Sequence, residues 1–220
     1  NNYILLRRES DEEFAKRKNW TLNELYEKVS KVNFSLLKER EKRTTPGLDD
    51  KTLTSWNALM LKGYAEAYQY LGNTTYLQSA VKNAEFIQKH QLSEDGKLFH
   101  SYKNGKSSIN GFLEDYSFTI EAFIKLYEVT FNEKWLNEAK KITDYTLKEF
   151  YDEKSGMFYF TANSSEQLIT RKFELSDNVI PASNSSMAKA LFLLGKYFDD
   201  KKYHQKSLQM LNNMVEQMPG

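Results

Sequence analysis

Gly111-Phe112-Leu113-Glu114-Asp115-Tyr116 is the stretch from which the rest of the chain can be read. A polar, Gly-containing loop turns there into a strongly apolar helix, and two carboxylates stand side by side at the turning point. Taken alone this is an ordinary acidic helix start, with Asp115 as a cap and Glu114 favoured by the positive end of the helix dipole. Two other long loops end in a similar way, at Trp56-Asn57 and at Ser183-Asn184-Ser185. Three such starts on one rim would frame a pocket.

Working outward, Tyr116 to Phe131 reads as a helix that is apolar nearly all round, with Phe118, Ile120, Phe123, Ile124, Leu126 and Tyr127. Such a helix is buried. Asn132-Glu133 turns it into a second, one-sided helix from Trp135 to Phe150. The same inner-then-outer pairing precedes it, at Trp56 to Leu71 and Tyr76 to His90, and follows it, at Met187 to Phe198 and Tyr203 to about Met218. The aromatic residues that open the outer helices, Tyr76, Trp135 and Tyr203, lie 59 and 68 residues apart. Helix pairs with a varying period describe a repeat with variable loops. In that register Trp56 matches Asp115 and Ser183, and Asn57 matches Tyr116 and Asn184.

Inner-to-outer turns are two to four residues long, at Gly72, Asn132 and Asp199. The outer-to-inner loops, roughly Gln91 to Leu113 and Tyr151 to Ser183, far exceed the usual connection. Both contain hairpin patterns. Leu98 to Tyr102 and Ser107 to Ile109 flank Asn104-Gly105, and Met157 to Phe160 and Gln167 to Ile169 flank Asn163-Ser164-Ser165. A plain rim opposite an elaborated one places function on the elaborated rim, where the inner-helix N-termini also favour oxygen-rich ligands.

Ahead of the repeats, Tyr3 to Leu6 reads as extended. Ser10 to Glu13 and Thr21 to Glu24 carry capping-box spacing for a short helix to about Lys18 and a long one to about Arg43. Leu22, Leu25, Tyr26, Val29, Val32, Leu36 and Leu37 lie on one side of the second. We expect a single domain or fragment over 1–220, with 1–50 ending a preceding hairpin and 51–220 forming three helix pairs.

The balance of 31 basic and 30 acidic residues favours neither nucleic acid nor a membrane surface. With no cysteine, disulfides and thiolate chemistry are excluded within the chain. No apolar run reaches membrane-spanning length and no signal peptide is visible, so a cytoplasmic location is expected, although a chain starting at Asn1 gives missing signals little weight. The Asn-x-Ser/Thr patterns at Asn73, Asn163 and Asn184 read as turns and caps.

Several strings resemble one family. Asp49-Asp50-Lys51-Thr52-Leu53-Thr54-Ser55-Trp56-Asn57, Gly111 to Phe118, Leu126 to Phe131 followed by Trp135-Leu136, and Arg171, Asp177 and Pro181-Ala182-Ser183-Asn184-Ser185 resemble, in order, the YyaL-like, spermatogenesis-associated, thioredoxin-domain group. The resemblance covers about Asp49 to Phe198. It implies an all-α fold, an (α/α)6 toroid of helical hairpins related to six-hairpin glycosidases and N-acylglucosamine 2-epimerases, with short β-hairpins in the long loops. A thioredoxin-like domain accompanies the toroid in that family and is a candidate partner, but no Cys-x-x-Cys occurs here. The family often has Gly where this chain has Ala58, and Arg where it has His100. Three repeats make a partial six-hairpin barrel, so oligomerisation is a further expectation.

Glycoside hydrolysis needs two carboxyls facing each other across a bond, not neighbours on one helix turn. Glu114 and Asp115 are the first catalytic candidates, and the opposing acid would come from Asp49, Asp50 or Asp177. Of these Asp50 is assigned to catalysis, and Asp49 and Asp177 to substrate. Arg171 holds an anionic sugar group, pairs with a rim carboxylate, or makes a surface salt bridge. Asn57, Asn184 and Ser185 are caps or ligand donors, Tyr116 a ligand contact, and Trp56 either core or a stacking platform for a sugar ring. An epimerase needs bases, commonly histidines, that remove and return a proton. Of the three histidines only His100 lies in a rim loop, which counts against a paired-His epimerase. No metal spacing is convincing, and no metal or cofactor is expected. Two functions are carried forward: a carbohydrate-active site for a small sugar or sugar-like ligand, and a non-catalytic module that docks a thioredoxin-like domain or another protein.

Overall fold

The computed structural model describes residues 8–165 and 170–215. The segments read above as Tyr3–Leu6 and Gln167–Ile169, and the helix end at Met218, lie outside them. The described residues form two compact units, divided after Asp49.

The first unit holds α1 (Asp11–Lys18) and α2 (Leu22–Glu41). Both begin with the capping boxes that their spacing predicts: Ser10 and Glu13 exchange bonds of 3.0 and 3.2 Å, and Thr21 and Glu24 bonds of 2.7 and 3.2 Å. Each exchange satisfies two of the N–H groups that a helix start leaves unpaired. Along α2 only Leu25 is buried; Leu22, Tyr26, Val29, Val32, Leu36 and Leu37 are exposed.

The second unit consists of three helix pairs: α3 (Thr54–Leu71) with α4 (Thr74–His90), α5 (Leu113–Thr130) with α6 (Glu133–Phe150), and α7 (Ser183–Tyr197) with α8 (Lys201–Val215). The helix α5 is central, packing on α3, α6 and α7, and it is buried around nearly its whole circumference. Its Phe123, Ile120, Ile124 and Leu126 form the core with Leu61, Ile87, Ile142 and Leu191. The 59-residue offset carries the ends of α3 onto those of α5.

A single covered side distinguishes α3 from this central helix. Its Ala58, Leu61 and Ala65 are buried, but Trp56, Met60, Tyr70 and Leu71 are exposed. The all-round apolar pattern therefore overstates its burial, because composition does not tell how many neighbours a helix has. No helix among the described residues is long and apolar enough to cross a membrane.

Between α4 and α5, β2 (Phe99–Lys103) and β3 (Lys106–Asn110) form a hairpin, to which β1 (Thr52–Leu53) adds an antiparallel strand. Asn104 and Gly105 turn the hairpin at φ values of 52° and 78°, the left-handed region that the Asn-Gly pair tolerates. In the second loop the expected partner strand Gln167–Ile169 lies outside the described residues. β5 (Met157–Phe158) pairs back onto β4 (Tyr151–Asp152), and Tyr159 pairs with Phe173.

Candidate active site at the inner-helix N-termini

Asp115 is the hub of the elaborated rim and has no exposed surface. Its Oδ1 accepts a 2.9 Å bond from the backbone N–H of Ser55, in the first turn of α3. Its Oδ2 accepts 2.9 Å bonds from the N–H of Phe112, just ahead of α5, and from Nδ1 of His100 on β2. One carboxylate therefore caps two helices and fixes the tautomer and orientation of an imidazole. This explains why Leu53 and Phe112, the residues preceding α3 and α5, make no side-chain cap. Thr54 and Ser55 lie inside α3 rather than capping it, since the cap comes from α5. Gly111 is required by close approach: a Cβ there would meet the Leu98 carbonyl at 2.8 Å and the Tyr116 ring at 2.9 Å.

Glu114 lies one residue earlier and is half-buried, with the Ser55 hydroxyl 3.3 Å from its Oε1. Burial pushes its carboxyl above the ordinary range. The charges of Asp115 and Glu174 add to that push, against the Ser55 hydrogen bond and the His100 charge. His100 is also held above its usual value, by its hydrogen bond to Asp115 and by the charges of Asp115 and Glu114, with burial opposing. The site thus sets a carboxyl raised above its ordinary value beside one whose oxygens are fully hydrogen-bonded, the kind of contrast that acid–base chemistry uses. Beside it, the His100 ring meets Phe112 edge-on at 5.0 Å, and Phe112 stacks on Phe160 at 5.2 Å. This half-buried aromatic strip suits the flat face of a ligand.

Donor atoms of His100, Glu114 and Asp115 lie within 4.8 Å of one another, the one such cluster of potential metal ligands among the described residues. Asp115 already uses both oxygens on three donors, so an ion there would have to displace hydrogen bonds that hold two helix starts.

The remaining expected residues divide. Asp50 pairs with Lys103 at 2.5 Å, and that hydrogen bond lowers its carboxyl below the usual range, so its partner is a lysine of β2 rather than Glu114. Asp49 is exposed and belongs to the first unit. Trp56 is 67% exposed and therefore not core. Asn57 donates to the Leu53 carbonyl at 2.8 Å. Tyr116 is buried, its hydroxyl accepting from Leu98 N–H at 3.0 Å, and its ring stacks on Tyr145; it belongs to the core rather than to a ligand surface. Asn184 is likewise buried, bridging the Phe158 backbone and the Glu174 carbonyl. Asp177 caps α7 through Ala182 N–H at 2.8 Å and accepts from the Ser185 hydroxyl at 3.2 Å. Arg171 folds onto its own loop, over the Tyr159 ring and onto Asn163 and Thr161, and makes no ion pair with a carboxylate among the described residues.

Two features escape the sequence reading. Glu174 accepts from both the N–H and the hydroxyl of Ser183, at 3.0 and 2.6 Å, at the start of α7. Two turns below Glu114, the buried Glu121 binds Lys62 of α3 at 2.5 Å and Lys189 of α7 at 3.2 Å. Burial alone would raise the Glu121 carboxyl, but the two ammonium groups, Lys62 foremost, hold it low. The pairs Ser55–Glu114 and Lys62–Glu121 are each separated by 59 residues, the repeat offset itself. That offset was the available signal for the second contact.

A sequence profile of glycosyl hydrolase family 76 matches residues 44–191, about two thirds of the chain. Spermatogenesis-associated protein 20 of Homo sapiens is 30% identical over 83% of this chain and 25% of its own length. An uncharacterized protein of Caenorhabditis elegans is 27% identical over 99% of this chain and 31% of its own. The chain thus spans between a quarter and a third of these relatives. Among solved structures, an inactive variant of a Salegentibacter α-1,6-mannanase with two adjacent aspartates replaced, in complex with α-1,6-mannotriose, superposes with a TM-score of 0.61 at 16% identity, over 76% of this chain and 48% of that one. Cellobiose 2-epimerase of Bacillus thermoamylovorans gives a TM-score of 0.61 at 17% identity, over 74% and 44%. The helix pairs are those of the α/α toroids, and on its sequence the chain belongs to glycosyl hydrolase family 76.

Proposed function

We propose that the chain carries a glycosidase-like, carbohydrate-active site on the rim formed by the N-termini of α3 and α5. Glu114 is its general acid, and Asp115 is the residue that holds Glu114, Ser55 and His100 in place. One observation carries this reading: the half-buried Glu114 carboxyl, with only the Ser55 hydroxyl on it, stands at a helix start beside the buried Asp115, whose two oxygens are fully taken by three donors. Protonation of a glycosidic oxygen needs such an acid. Support comes from the adjacent pair of acids, which parallels the adjacent pair replaced in the inactive mannanase, and from the His100–Phe112–Phe160 strip, which offers a platform for a sugar ring. His100 and the exposed Trp56 complete the ligand surface.

A panel of aryl glycosides and oligosaccharides tests the proposal. Glu114→Gln should lower kcat by about 10²-fold or more, the usual contribution of a positioned acid. Unchanged turnover in that variant removes Glu114 from the mechanism.

A second reading, a domain that docks a thioredoxin-like partner, is favoured by an apolar groove of about 430 Å³ between α7 and α8, lined by Met157, Leu175, Phe192, Met210 and Met214. Calorimetric titration with a thioredoxin-like domain tests it, and heat lost in Phe192→Glu would support it. A cytoplasmic location is part of this proposal.

A further inference from the structure

Within the second unit the central helix α5 has an inner helix on either side, α3 and α7, and each of these packs on α5 along one side only. The opposite side of α3 is apolar. Trp56, Met60, Gly63, Ala67 and Tyr70 recur at alternating spacings of four and three, which keeps them in line along the helix, away from the buried Ala58, Leu61 and Ala65. Trp56, Met60, Gly63 and Tyr70 are exposed and Ala67 is half-buried. A Cβ on Gly63 would meet no atom within 4 Å. The opposite side of α7 carries Ser185, Ala188 and Phe192, which open onto the apolar groove backed by Met157, Leu175, Met210 and Met214. The three-pair unit therefore ends in an apolar inner-helix face at each edge.

We propose that these two edges are the halves of one seam, and that a second copy of this chain closes the ring, α7 of each copy packing against α3 of the other. Two observations select this occupant. The first is size. The chain covers 44% and 48% of the superposed toroid structures, so three helix pairs make just under half a ring. Two copies related by a twofold axis complete it and leave neither edge uncovered.

The second is shape. The repeat sets Ser183 level with Trp56, an offset of 127 residues between α7 and α3. At that offset Ser185 falls between Trp56 and Met60, Ala188 between Met60 and Gly63, and Phe192 between Gly63 and Ala67. The small residues of α7 meet large ones of α3, and its large residue meets small ones, as interlocking helix faces require. At the rim end the seam brings Trp56 of the partner subunit beside Ser185, so each copy adds an aromatic platform to the other's rim. The seam fills the groove that the docking reading gives to a thioredoxin-like partner, and only one of the two can hold.

Sedimentation equilibrium of the 220-residue chain at about 10 µM, above the micromolar dissociation constant of a weak interface of ordinary size, should give twice the chain mass of 25.8 kDa. Gly63→Leu fills the space that Phe192 enters. Its own chain leaves that space clear and leucine favours a helix, so the variant should keep its helical circular dichroism while the dimer weakens by about 10-fold or more. Phe192→Ala should weaken the dimer to a similar extent. The double variant Gly63→Leu/Phe192→Ala sets a small residue against a large one again at both seams, and should recover dimer that either single variant loses. A monomeric parent overturns the seam. So does a dimer that both single variants leave intact, a double variant no better than the single ones, or an open-ended series of higher oligomers. A monomer that gives heat with a thioredoxin-like domain, lost in Phe192→Glu, assigns the groove to docking instead. A dimer that turns over no glycoside leaves the seam standing and removes only the catalytic reading.

Discussion

The outer and inner helices of the second unit begin in different ways. Outer helices cap themselves: Asn73 accepts from Thr75 N–H at 2.9 Å, Asn132 from Lys134 at 3.1 Å, and Asp200 from Lys202 at 2.8 Å. Inner helices are preceded by Leu53, Phe112 and Ala182, none of which makes a side-chain cap. Their caps arrive from elsewhere, Asp115 for α3 and α5, and Asp177 and Glu174 for α7. A local cap stabilises one helix and ends there. A remote cap joins segments and gathers carboxylates on one rim, so the same hydrogen bonds that secure the inner helices also concentrate the acids.

Replacing the hub should separate the two classes most sharply. Asp115→Ala strands the N–H groups of Ser55 and Phe112 in the interior and should cost about 3–4 kcal/mol in urea denaturation, at about 1–3 kcal/mol for each orphaned group. Asp115→Asn, which keeps an acceptor oxygen, should cost less. Removing a local cap, Asn132→Ala, should cost only about 1 kcal/mol. Similar losses for the two alanine variants would erase the distinction between remote and local caps.

Smaller effects come from protonation. Glu114 is raised, so its ionised form is disfavoured by folding, and its contribution weakens as pH climbs through the folded value. Glu114→Gln should therefore melt roughly 2 °C above the parent at pH 8 and together with it near pH 4, the size expected for a half-exposed group. His100 is raised as well: its stabilising pair with Asp115 is complete below about pH 6.5 and is lost as pH rises through the folded value. His100→Asn should flatten the melting-temperature profile over that upper window. A profile that keeps its slope in this variant would assign the titration to another group.

Helix pairs, the two-rim asymmetry and the Asn104-Gly105 turn are all legible in the sequence, because each depends on residues close together in the chain. The position of Asp115 is legible as a helix start. Its second role is not, since the Ser55 N–H that it caps lies 60 positions away. The same limit hides Glu174, which sits in an unpatterned loop and reaches the rim only through the pairing of 158–160 with 172–174. Tyr116 lies in the core rather than on the expected ligand surface, and Trp56 takes the exposed one of its two alternatives, for a related reason. A 3.6-residue period tells which side chains are apolar, but the neighbours of α5 and α3 decide which of them are covered.

The 59-residue spacing of Ser55–Glu114 and Lys62–Glu121 carries a consequence for how such chains tolerate insertions and deletions. Loop growth between α4 and α5 changes the count between partners but leaves both helices level, so both contacts survive. A single deletion between Glu114 and Glu121 is different. It turns everything beyond it by about 100° about the axis of α5, and one of the two contacts must be given up. Length variation in natural relatives should therefore collect in the loops, and the seven-residue interval from Glu114 to Glu121 should behave as a fixed gauge between the chemistry at the rim and the ion pair beneath it.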